Sequence, residues 1–371
     1  MKTDAGKKLR IIVAGGGTGG HLYPGLALVE ELKRRGNLAD IIFAGTKRGI
    51  ESRIIPKEGY RLKYIWIRGF QRSLNPANLI FPLRVIVSLL QAYRLVRHYK
   101  PDAVIGTGGY VSGPVLYVAA KLKIPTLIQE QNSYPGVTTR LLAQHASIVH
   151  LSFEESKKYF KETKNLVVTG NPIRAGFLIT GKNSAYDKFH LTSRKKTLFV
   201  FGGSQGAHAI NLAVLDILEP LMRDPGIQLL WGTGYNDYQT VKKQCKMYRE
   251  RASVLPYIDN MPAAYAITDA AICRSGAMTM TELSLAGVPA IFIPLPHAAA
   301  GHQEFNARVL VDRGAAEMIR EQDLKPEIFL DKIINLLKDD SRREKMTERM
   351  KEWANPAAAE EIIDSLLKLV K

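Results

Sequence analysis

Two glycine-rich stretches of this sequence contain residue types that bind phosphate and transfer protons. The first, VAGGGTGGH at 13–21, places His21 directly after its glycines, and VFGGSQGAH at 200–208 repeats the pattern. The start of an α-helix has unpaired N–H groups and a positive dipole end, and glycines let a phosphate approach that backbone closely. The pattern favours an anion site, although tight turns and close helix packing also require glycine.

His21 supplies the acid–base chemistry in this interpretation. A neutral imidazole beside the first loop can accept the proton of an attacking hydroxyl group. The alternative is a histidine at the helix start that only binds phosphate or caps the turn. Thr18 offers a hydroxyl group in the same loop, and its alternative is simple loop geometry.

The first loop also fits the GxGxxG fingerprint of dinucleotide-binding enzymes at Gly15, Gly17 and Gly20. That fingerprint requires an acidic residue at the end of the second strand, where it binds the ribose hydroxyls. Here the second strand ends in FAGT at 43–46, which has no carboxylate. Neither loop carries the Lys-Ser/Thr pair of a Walker motif. A nicotinamide enzyme and a P-loop NTPase are therefore disfavoured.

Glu282, in the segment TMTEL at 279–283, is a candidate for binding ribose. An ionised carboxylate has two acceptor oxygens and can bind both ribose hydroxyls. Thr279 and Glu282 also have the spacing of a capping box, which is the structural alternative. Because a strand and an SGA turn precede this segment, it should lie at the carboxyl ends of the strands, and we favour ribose binding.

Polar residues at two further strand ends have the right chemistry for sugars and phosphates. The Asn132 amide both donates and accepts, which suits sugar hydroxyls, or it forms the turn before Tyr134-Pro135-Gly136. The hydroxyl of Ser204, with the backbone N–H groups of Gln205 and Gly206, would hold a departing diphosphate. Ser204 could also be an ordinary helix N-cap, and the two roles are compatible.

Short apolar runs alternate with amphipathic stretches along the whole chain, which is typical of parallel sheets built from βα units. The predicted strands are 9–15, 40–45, 103–108, 126–131, 147–152 and 165–172, then 196–203, 227–234, 253–258, 269–276 and 289–296. The doubled series predicts an α/β protein with two doubly wound, Rossmann-like domains. Ligands would bind in the cleft at the carboxyl ends of their strands. We expect the domains to be 1–174 and 175–354, with a final helix at 355–371 that packs back on the first.

The bulk composition describes a globular protein with an unusual charge. Of the 371 residues, 52 are Lys or Arg and 35 are Asp or Glu, which gives a net charge of +17. This excess suits an anionic partner, either nucleic acid, a phosphorylated substrate or an anionic membrane. No nucleic-acid recognition motif is present. Cys245 and Cys273 form no metal-binding or disulfide pattern. The start of the chain does not have a signal-peptide pattern, and no apolar run is long enough to span a bilayer.

Eight motifs, in order across nearly the whole chain, resemble those of the MurG family. They are GGGTGGHLYPGLA (15–27), GTGGYVSGP (106–114), QEQNSYPG (129–136), TGNPIR (169–174), FGGSQGA (201–207), YIDNM (257–261), CRSGAMTMTEL (273–283) and HQEFNA (302–307). The resemblance implies a GT-B fold with a central cleft, an amino-terminal acceptor and membrane domain, and a carboxyl-terminal UDP-sugar domain. It implies an inverting enzyme, peripheral on the cytoplasmic face of the membrane. This enzyme moves N-acetylglucosamine from UDP-N-acetylglucosamine to the C4 hydroxyl of undecaprenyl-pyrophosphoryl-N-acetylmuramyl-pentapeptide in peptidoglycan synthesis.

The resemblance also implies roles for individual residues, with His21 as the base. The implied donor site consists of Thr18, Gly19, Gly20, Asn132, Arg174, Ser204, Gln205, Gly206, Ile258, Ala277, Met278, Thr279, Glu282 and Gln303. The implied acceptor and phosphate loops consist of Gly15, Gly16, Gly17, Gly108, Gly109 and Tyr110. For Arg174 a solvated or interdomain salt bridge is the alternative, and for Ile258 ordinary core packing. A soluble UDP-N-acetylglucosamine 2-epimerase, or another sugar-nucleotide enzyme of the same fold, is the competing function.

Two further expectations concern cofactors and the membrane. The chain has no DxD pair to hold a divalent metal, so helix dipoles and backbone amides would neutralise the diphosphate, and we expect no required cofactor. In the segment 68–100, apolar residues at helical spacing lie among Arg68, Arg72, Arg84, Arg94, Arg97 and Lys100. This pattern suits an anionic bilayer surface, and a buried helix with a solvated basic face is the alternative.

Overall fold

The computed structural model describes residues 8–36, 39–69, 79–160, 163–177 and 181–370. The chain divides into two compact units. The first unit contains Met1–Ala175 and Pro356–Lys371, and the second unit contains Gly176–Asn355.

The first unit is built on a parallel sheet of seven strands in the order β3-β2-β1-β4-β5-β6-β7. The strands are β1 Leu9–Gly15, β2 Ala39–Gly45, β3 Arg61–Tyr64, β4 Ala103–Gly108, β5 Thr126–Glu130, β6 Ile148–Leu151 and β7 Leu166–Val168. The helices of its amino-terminal part are α1 Gly19–Arg34, α2 Glu51–Lys57, α3 Phe81–Tyr99, α4 Ser112–Lys121 and α5 Val137–Leu142. The strand order reverses between β1 and β4, and such a reversal opens a crevice for ligands at the carboxyl ends of the strands.

The second unit repeats this architecture with six parallel strands in the order β10-β9-β8-β11-β12-β13. The strands are β8 Lys196–Phe201, β9 Ile227–Gly232, β10 Ala252–Leu255, β11 Ala270–Cys273, β12 Ala290–Phe292 and β13 Glu317–Met318. The helices are α6 Lys182–Phe189, α7 His208–Asp216, α8 Leu218–Met222, α9 Tyr238–Gln244, α10 Met261–Ala266, α11 Ala277–Ala286, α12 His302–Asp312, α13 Pro326–Lys338 and α14 Asp340–Trp353. Here the order reverses between β8 and β11.

The last helix, α15 Ala358–Leu369, belongs to the first unit. Its buried side chains, Ile362, Ile363 and Leu366, share one apolar cluster with Leu26 and Val29 of α1. Ion pairs from Arg34 to Glu360 and from Arg35 to Asp364 join the same two helices.

The prediction of two doubly wound parallel sheets is confirmed. The central strands β1 and β8 are buried almost completely, as expected for a parallel sheet with helices on both faces. The sequence interpretation missed β3 and β13, which are the outer strands of their sheets.

Candidate active site

His21 lies in the first turn of α1, directly after the loop that leaves β1. Its Nδ1 atom lies 3.2 Å from the carbonyl oxygen of Gly16 and 3.2 Å from the hydroxyl oxygen of Thr18. A carbonyl oxygen can only accept a hydrogen bond, so the contact with Gly16 assigns the proton to Nδ1, whereas the contact with the Thr18 hydroxyl is compatible with either tautomer. The lone pair of the neutral ring is then on Nε2, which makes Nε2 the basic atom. Thr18 is the N-cap of α1, and Gly19 and Gly20 are its first residues.

The loop after β4 lies against this histidine. Gly108 and Gly109 have positive φ angles of 101° and 78°. A Cβ atom at Gly108 would lie 2.6 Å from Cδ2 of His21, and one at Gly109 would overlap the carbonyl oxygen of Gly16. Both glycines are therefore required by the backbone conformation and by the available space. The structure thus brings 15–21 and 108–109 together, while Tyr110 next to them is exposed.

A buried carboxylate that the sequence interpretation missed, Glu51, supports the first loop. Glu51 begins α2 and has no solvent exposure. One carboxylate oxygen accepts from the N–H of Gly17 at 2.8 Å, and the other accepts from the N–H and hydroxyl of Thr46, both at 2.8 Å. In this arrangement the Gly17 N–H therefore donates to Glu51, and the place of Gly17 in the acceptor and phosphate loop stays a prediction. The nearby glycines in GTKRG at 45–49 are the sequence signal that could have indicated a buried group.

Asn132 follows β5 in a turn that Glu130 holds. Both the backbone N–H and the side-chain amide of Asn132 face one Glu130 oxygen, at 3.1 and 3.3 Å. The N–H of Gly136 donates to the other oxygen at 3.1 Å. These hydrogen bonds to Glu130 fix the amide of Asn132 at the carboxyl end of β5. Sugar binding by this amide stays a prediction.

Arg174 is engaged in ion pairs with two carboxylates of the first unit. Its Nε donates to Glu30 at 2.7 Å, and its Nη2 lies 3.3 Å from Glu58. The hydrogen bond to Glu30 holds the pKa of Arg174 above its usual range. The salt-bridge alternative therefore describes this arrangement, and a contact with the donor nucleotide stays a prediction that requires Arg174 to exchange partners.

The second unit contains a cavity of about 560 Å³ at the carboxyl ends of β8, β11 and β12. Its walls are Phe201, Gly202, Gly203, Gly206, Ala207, His208, Ala209, Arg274, Gly276, Thr279, Leu295, Gln303 and Glu321. Three of the donor residues predicted in this unit, Gly206, Thr279 and Gln303, therefore line one space. Ser204, Gln205, Ile258, Ala277, Met278 and Glu282 are not among the walls.

The second glycine loop has a fixed shape because it packs backbone against backbone. A Cβ atom at Gly206 would overlap the carbonyl oxygen of Thr233, and one at Gly234 would overlap that of Gln205. Ser204 and Gln205 at the tip of the loop are exposed. Because α7 begins at His208 with Ala207 as its N-cap, the N-cap alternative for Ser204 is wrong.

Glu282 lies within α11 and accepts a hydrogen bond from the hydroxyl of buried Tyr265 at 2.9 Å. The helix begins at Ala277 with Gly276 as its N-cap, so the capping-box alternative for Thr279 and Glu282 is wrong. Burial raises the pKa of Glu282 to about 7, although the Tyr265 hydrogen bond acts in the opposite direction. Thr279, three residues earlier, lies on the same face of the helix and lines the cavity.

Ala277 and Met278 lie in the chain between the wall residues Gly276 and Thr279, whereas Ile258 is distant from the walls along the chain. Ile258 is buried, and Gly232 at the end of β9 leaves room for it, since a Cβ atom there would lie 2.9 Å from the isoleucine side chain. Ala277 is buried and Met278 is half-buried. The side-chain oxygen of Gln303 accepts from the N–H of Leu295 at 3.0 Å, which orients this amide at the wall.

Arg274 is a wall residue for which the sequence interpretation assigned no role. Its guanidinium donates to the carbonyl oxygens of Ile293 and Pro294 at 3.0 and 3.1 Å, and it pairs with Glu321 at 2.6 Å. These contacts tie the end of β11 to the segment after β12. Its position in the motif CRSGAM, directly after a buried strand, is the sequence signal that could have identified it.

A stripe of exposed large apolar side chains runs along α3 and begins just before the helix. We define the α3 stripe as Leu79, Leu83, Ile86, Leu90 and Tyr93, whose exposed fractions range from 47% to 85%. The helix instead buries Ser88, Ala92, Val96 and Tyr99. The alternative of a buried helix therefore describes one face of α3, because Ala92, Val96 and Tyr99 belong to the apolar core, whereas the α3 stripe lies outside that face. Arg84, Arg94, Arg97 and Lys100 are on the same element or directly follow it, and Arg72 lies outside the described residues.

Across the described part of the chain, no three His, Cys, Asp or Glu side chains are grouped in a way that could hold a metal ion. None of the helices described there combines the length and apolar character needed to cross a bilayer.

Comparisons with known proteins point to one family. Residues 11–151 match the glycosyltransferase family 28 N-terminal domain, and residues 197–362 match the glycosyltransferase family 28 C-terminal domain. A protein of Acetivibrio thermocellus is 40% identical over 98% of this chain and 99% of its own length. One of Ruminiclostridium cellulolyticum is 41% identical over 98% of this chain and all of its own. Both are named UDP-N-acetylglucosamine–N-acetylmuramyl-(pentapeptide) pyrophosphoryl-undecaprenol N-acetylglucosamine transferase.

Solved structures give the same picture for the fold. The crystal structure of Acinetobacter baumannii MurG has a TM-score of 0.77 and 29% identity, and the match covers 98% of this chain and all of that one. A UDP-GlcNAc 2-epimerase from Neisseria meningitidis has a TM-score of 0.69 with 14% identity, over 98% of this chain and all of that one. At that identity the epimerase shows a shared fold and nothing more.

Proposed function

Because this chain belongs to the MurG family of glycosyltransferases, we infer that it transfers N-acetylglucosamine from UDP-N-acetylglucosamine to undecaprenyl-pyrophosphoryl-N-acetylmuramyl-pentapeptide. The observation that carries this conclusion is the match at 40–41% identity over 98% of the chain. This reaction supplies the lipid-linked disaccharide of peptidoglycan synthesis.

In the mechanism that we propose, His21 is the general base. Its Nε2 takes the proton of the acceptor C4 hydroxyl while that oxygen attacks the anomeric carbon of N-acetylglucosamine. The bond from this carbon to the UDP oxygen breaks, its electron pair leaves with UDP, and the configuration inverts. The Nδ1–H contact to the Gly16 carbonyl oxygen, at 3.2 Å, supports this role because it leaves Nε2 as the basic atom.

We propose donor-binding residues in the first unit and in the second unit. In the second unit, Gly206, Thr279 and Gln303 share the walls of one cavity, which supports binding of the nucleotide sugar there. Ser204 and Gln205 would hold the diphosphate, and Glu282 the ribose. The residues proposed to complete the site are Thr18, Gly19, Gly20, Asn132, Arg174, Ile258, Ala277 and Met278. The acceptor would meet Gly15, Gly16 and Gly17 together with Gly108, Gly109 and Tyr110.

We propose that transfer requires no divalent metal, because amides and helix dipoles meet the diphosphate charge. The support is the second glycine loop, whose shape is fixed by backbone contacts to Thr233 and Gly234 beside the cavity. Activity should be unchanged after dialysis against EDTA, with added Mg²⁺ as the comparison. A loss of activity that Mg²⁺ restores would contradict this proposal.

We also propose that the protein binds the cytoplasmic face of the membrane as a peripheral protein. A lipid-linked acceptor requires such access, and the exposed α3 stripe with its neighbouring arginines provides apolar and cationic groups for an anionic bilayer. No nucleic acid enters this proposal.

The competing function, that of a UDP-N-acetylglucosamine 2-epimerase, differs from the transferase because its reaction uses the sugar nucleotide without a lipid acceptor. The deciding assay supplies UDP-N-acetylglucosamine with or without a short-chain, water-soluble analogue of the lipid acceptor and follows UDP release. A transferase should release UDP only with the acceptor and form one equivalent of disaccharide. Conversion of the sugar nucleotide to its 2-epimer without acceptor would instead establish the competing function.

A further inference from the structure

We propose that Glu51 is a positioning residue for His21 and that it acts through the peptide group between Gly16 and Gly17. The inference rests on the proposed role of His21 as the base, and it deepens that role. It assigns the choice of the basic nitrogen to a carboxylate on a different helix.

The carboxylate of Glu51 is buried, and hydrogen bonds to both of its oxygens fix its orientation. Its three hydrogen-bond donors, the N–H of Gly17 and the N–H and hydroxyl of Thr46, all lie at 2.8 Å. Among the residues that the structure describes, no Lys, Arg or His forms an ion pair with it. Within the described ranges, the groups that contact the Glu51 carboxylate are therefore neutral dipoles, and one of these is the Gly17 amide.

The N–H of Gly17 and the C=O of Gly16 belong to one planar peptide group. The N–H end donates to Glu51 at 2.8 Å, and the oxygen end accepts from Nδ1 of His21 across 3.2 Å. A hydrogen bond at one end of an amide polarises the other end, so the carboxylate makes the Gly16 oxygen a better acceptor. Glu51, the peptide and His21 thus form a continuous chain of hydrogen bonds.

The surrounding glycines leave this chain of hydrogen bonds little freedom. A Cβ atom at Gly16 would lie 2.5 Å from the carboxyl carbon of Glu51, and one at Gly49 would overlap the carboxylate. A Cβ atom at Gly45 would lie 2.6 Å from the Glu51 side chain. On the other side, Gly109 packs directly against the Gly16 oxygen. The peptide group is therefore held between Glu51 and Gly109.

This arrangement has two consequences for the transfer step. It favours the neutral tautomer with the proton on Nδ1, which leaves the lone pair on Nε2 for the acceptor hydroxyl. When Nε2 takes that proton, the imidazolium keeps its Nδ1–H contact to the polarised carbonyl, and the ionised Glu51 stabilises the new positive charge. The proton stays on His21, and Glu51 remains ionised throughout.

The test compares Glu51→Gln with Glu31→Gln, which removes another buried carboxylate of the first unit, one that pairs with Arg34 and Arg35. In the transferase assay, Glu51→Gln should lower kcat by about tenfold, which is a fraction of the rate enhancement expected from a general base. The KM for UDP-N-acetylglucosamine should stay unchanged. Glu31→Gln should leave both constants unchanged. Equal losses of kcat in the two variants would overturn the proposal.

A second measurement reads the tautomer of His21 in the wild-type protein itself. In wild-type protein labelled with ¹⁵N-histidine at about pH 8, where free imidazole is neutral, the ring shifts of His21 should report a proton on Nδ1. A proton on Nε2 would overturn the proposal. The His21→Ala variant assigns the signal and separates the two ideas. If His21→Ala were fully active, His21 would not be the general base. If His21→Ala were inactive and Glu51→Gln fully active, His21 would keep its role and only the positioning role of Glu51 would be contradicted.

Discussion

At the scale of single residues, the orientation of the His21 ring decides which of its two nitrogen atoms accepts a proton. With Nδ1 directed at the Gly16 carbonyl oxygen, Nε2 is the atom that takes a proton. We predict that His21→Ala lowers kcat by about 10²- to 10⁴-fold, the usual contribution of a general base, with little change in the KM for the donor. The measurement is steady-state UDP release with a saturating acceptor analogue.

The control for this variant is His145→Ala, because His145 is an exposed histidine of the same unit that follows α5. It should retain wild-type constants. If His21→Ala raised only the acceptor KM and kept kcat, the histidine would serve in binding, which is the alternative considered from the sequence.

Glu282 should make donor binding depend on pH. Burial raises its pKa from 4.5 to about 7, so the folded protein holds a proton there that the unfolded chain releases. Its contribution to stability therefore falls as pH rises across that window. Two ribose hydroxyls require an ionised acceptor, so we predict that UDP-N-acetylglucosamine binds about tenfold more tightly at about pH 8 than at about pH 6.

Titration calorimetry with the sugar nucleotide measures this effect without interference, because its esterified diphosphate has no proton to release near neutral pH. Glu282→Gln should bind more weakly at high pH, by about 2 kcal/mol, and should lose the pH dependence. An unchanged pH dependence in Glu282→Gln would assign the titration to a different group and contradict the ribose role.

The chemistry of these residues was predictable from the sequence, but their partners were not. His21 follows a glycine loop, and that pattern indicates a helix start. For Glu51, the glycines at 45–49 could indicate a buried group but not its partner, because that partner is a peptide group 34 residues earlier in the chain. The capping box at Thr279 failed because α11 begins two residues before Thr279, and a local pattern does not fix where a helix starts.

At the scale of secondary-structure elements, α3 leaves large apolar side chains exposed to solvent. It packs on the first unit through buried residues that include Ala92, Val96 and Tyr99, and it leaves Leu83, Ile86 and Leu90 exposed. We predict that the triple change of these three exposed residues to Ser weakens binding to anionic phospholipid vesicles by at least about tenfold, because each buried CH₂ contributes about 0.8 kcal/mol. Vesicle co-sedimentation measures this loss of binding, and the triple variant should still turn over a water-soluble acceptor.

The matched control is Ile328→Ser, which removes an exposed apolar side chain from α13 of the second unit. It should leave vesicle binding unchanged. Equal binding by the triple variant and the wild type would show that the α3 stripe is not the membrane contact.

The order of strands and helices was predictable because strand runs and helix periods alternate clearly. The failures lie at the sheet edges. β3 reads RLKY with mostly exposed side chains, and β13 has only two residues, so neither contains the apolar run of a central parallel strand. The exposed face of α3 was also beyond prediction, since apolar spacing alone does not tell which face packs on the sheet.

At the scale of the whole chain, the path leaves the first unit at residue 175 and returns to it at residue 356. The returning helix α15 completes an apolar cluster that includes α1, the helix that carries His21. We predict that Leu366→Ala, which removes a fully buried side chain, destabilises the first unit by about 2–5 kcal/mol. Exposed Lys368→Ala on the same helix should stay within about 0.5 kcal/mol of the wild type.

Hydrogen–deuterium exchange is the measurement that assigns this loss to a unit. Since α15 packs within the first unit, Leu366→Ala should speed exchange of the amides in α1, β1 and β2, which share its cluster. Amides of β8 and β11 should exchange as in the wild type, because they belong to a separate core in the second unit. Faster exchange in both units to the same extent would mean that the chain unfolds as one cooperative body, and that the returning helix stabilises more than the unit it packs on.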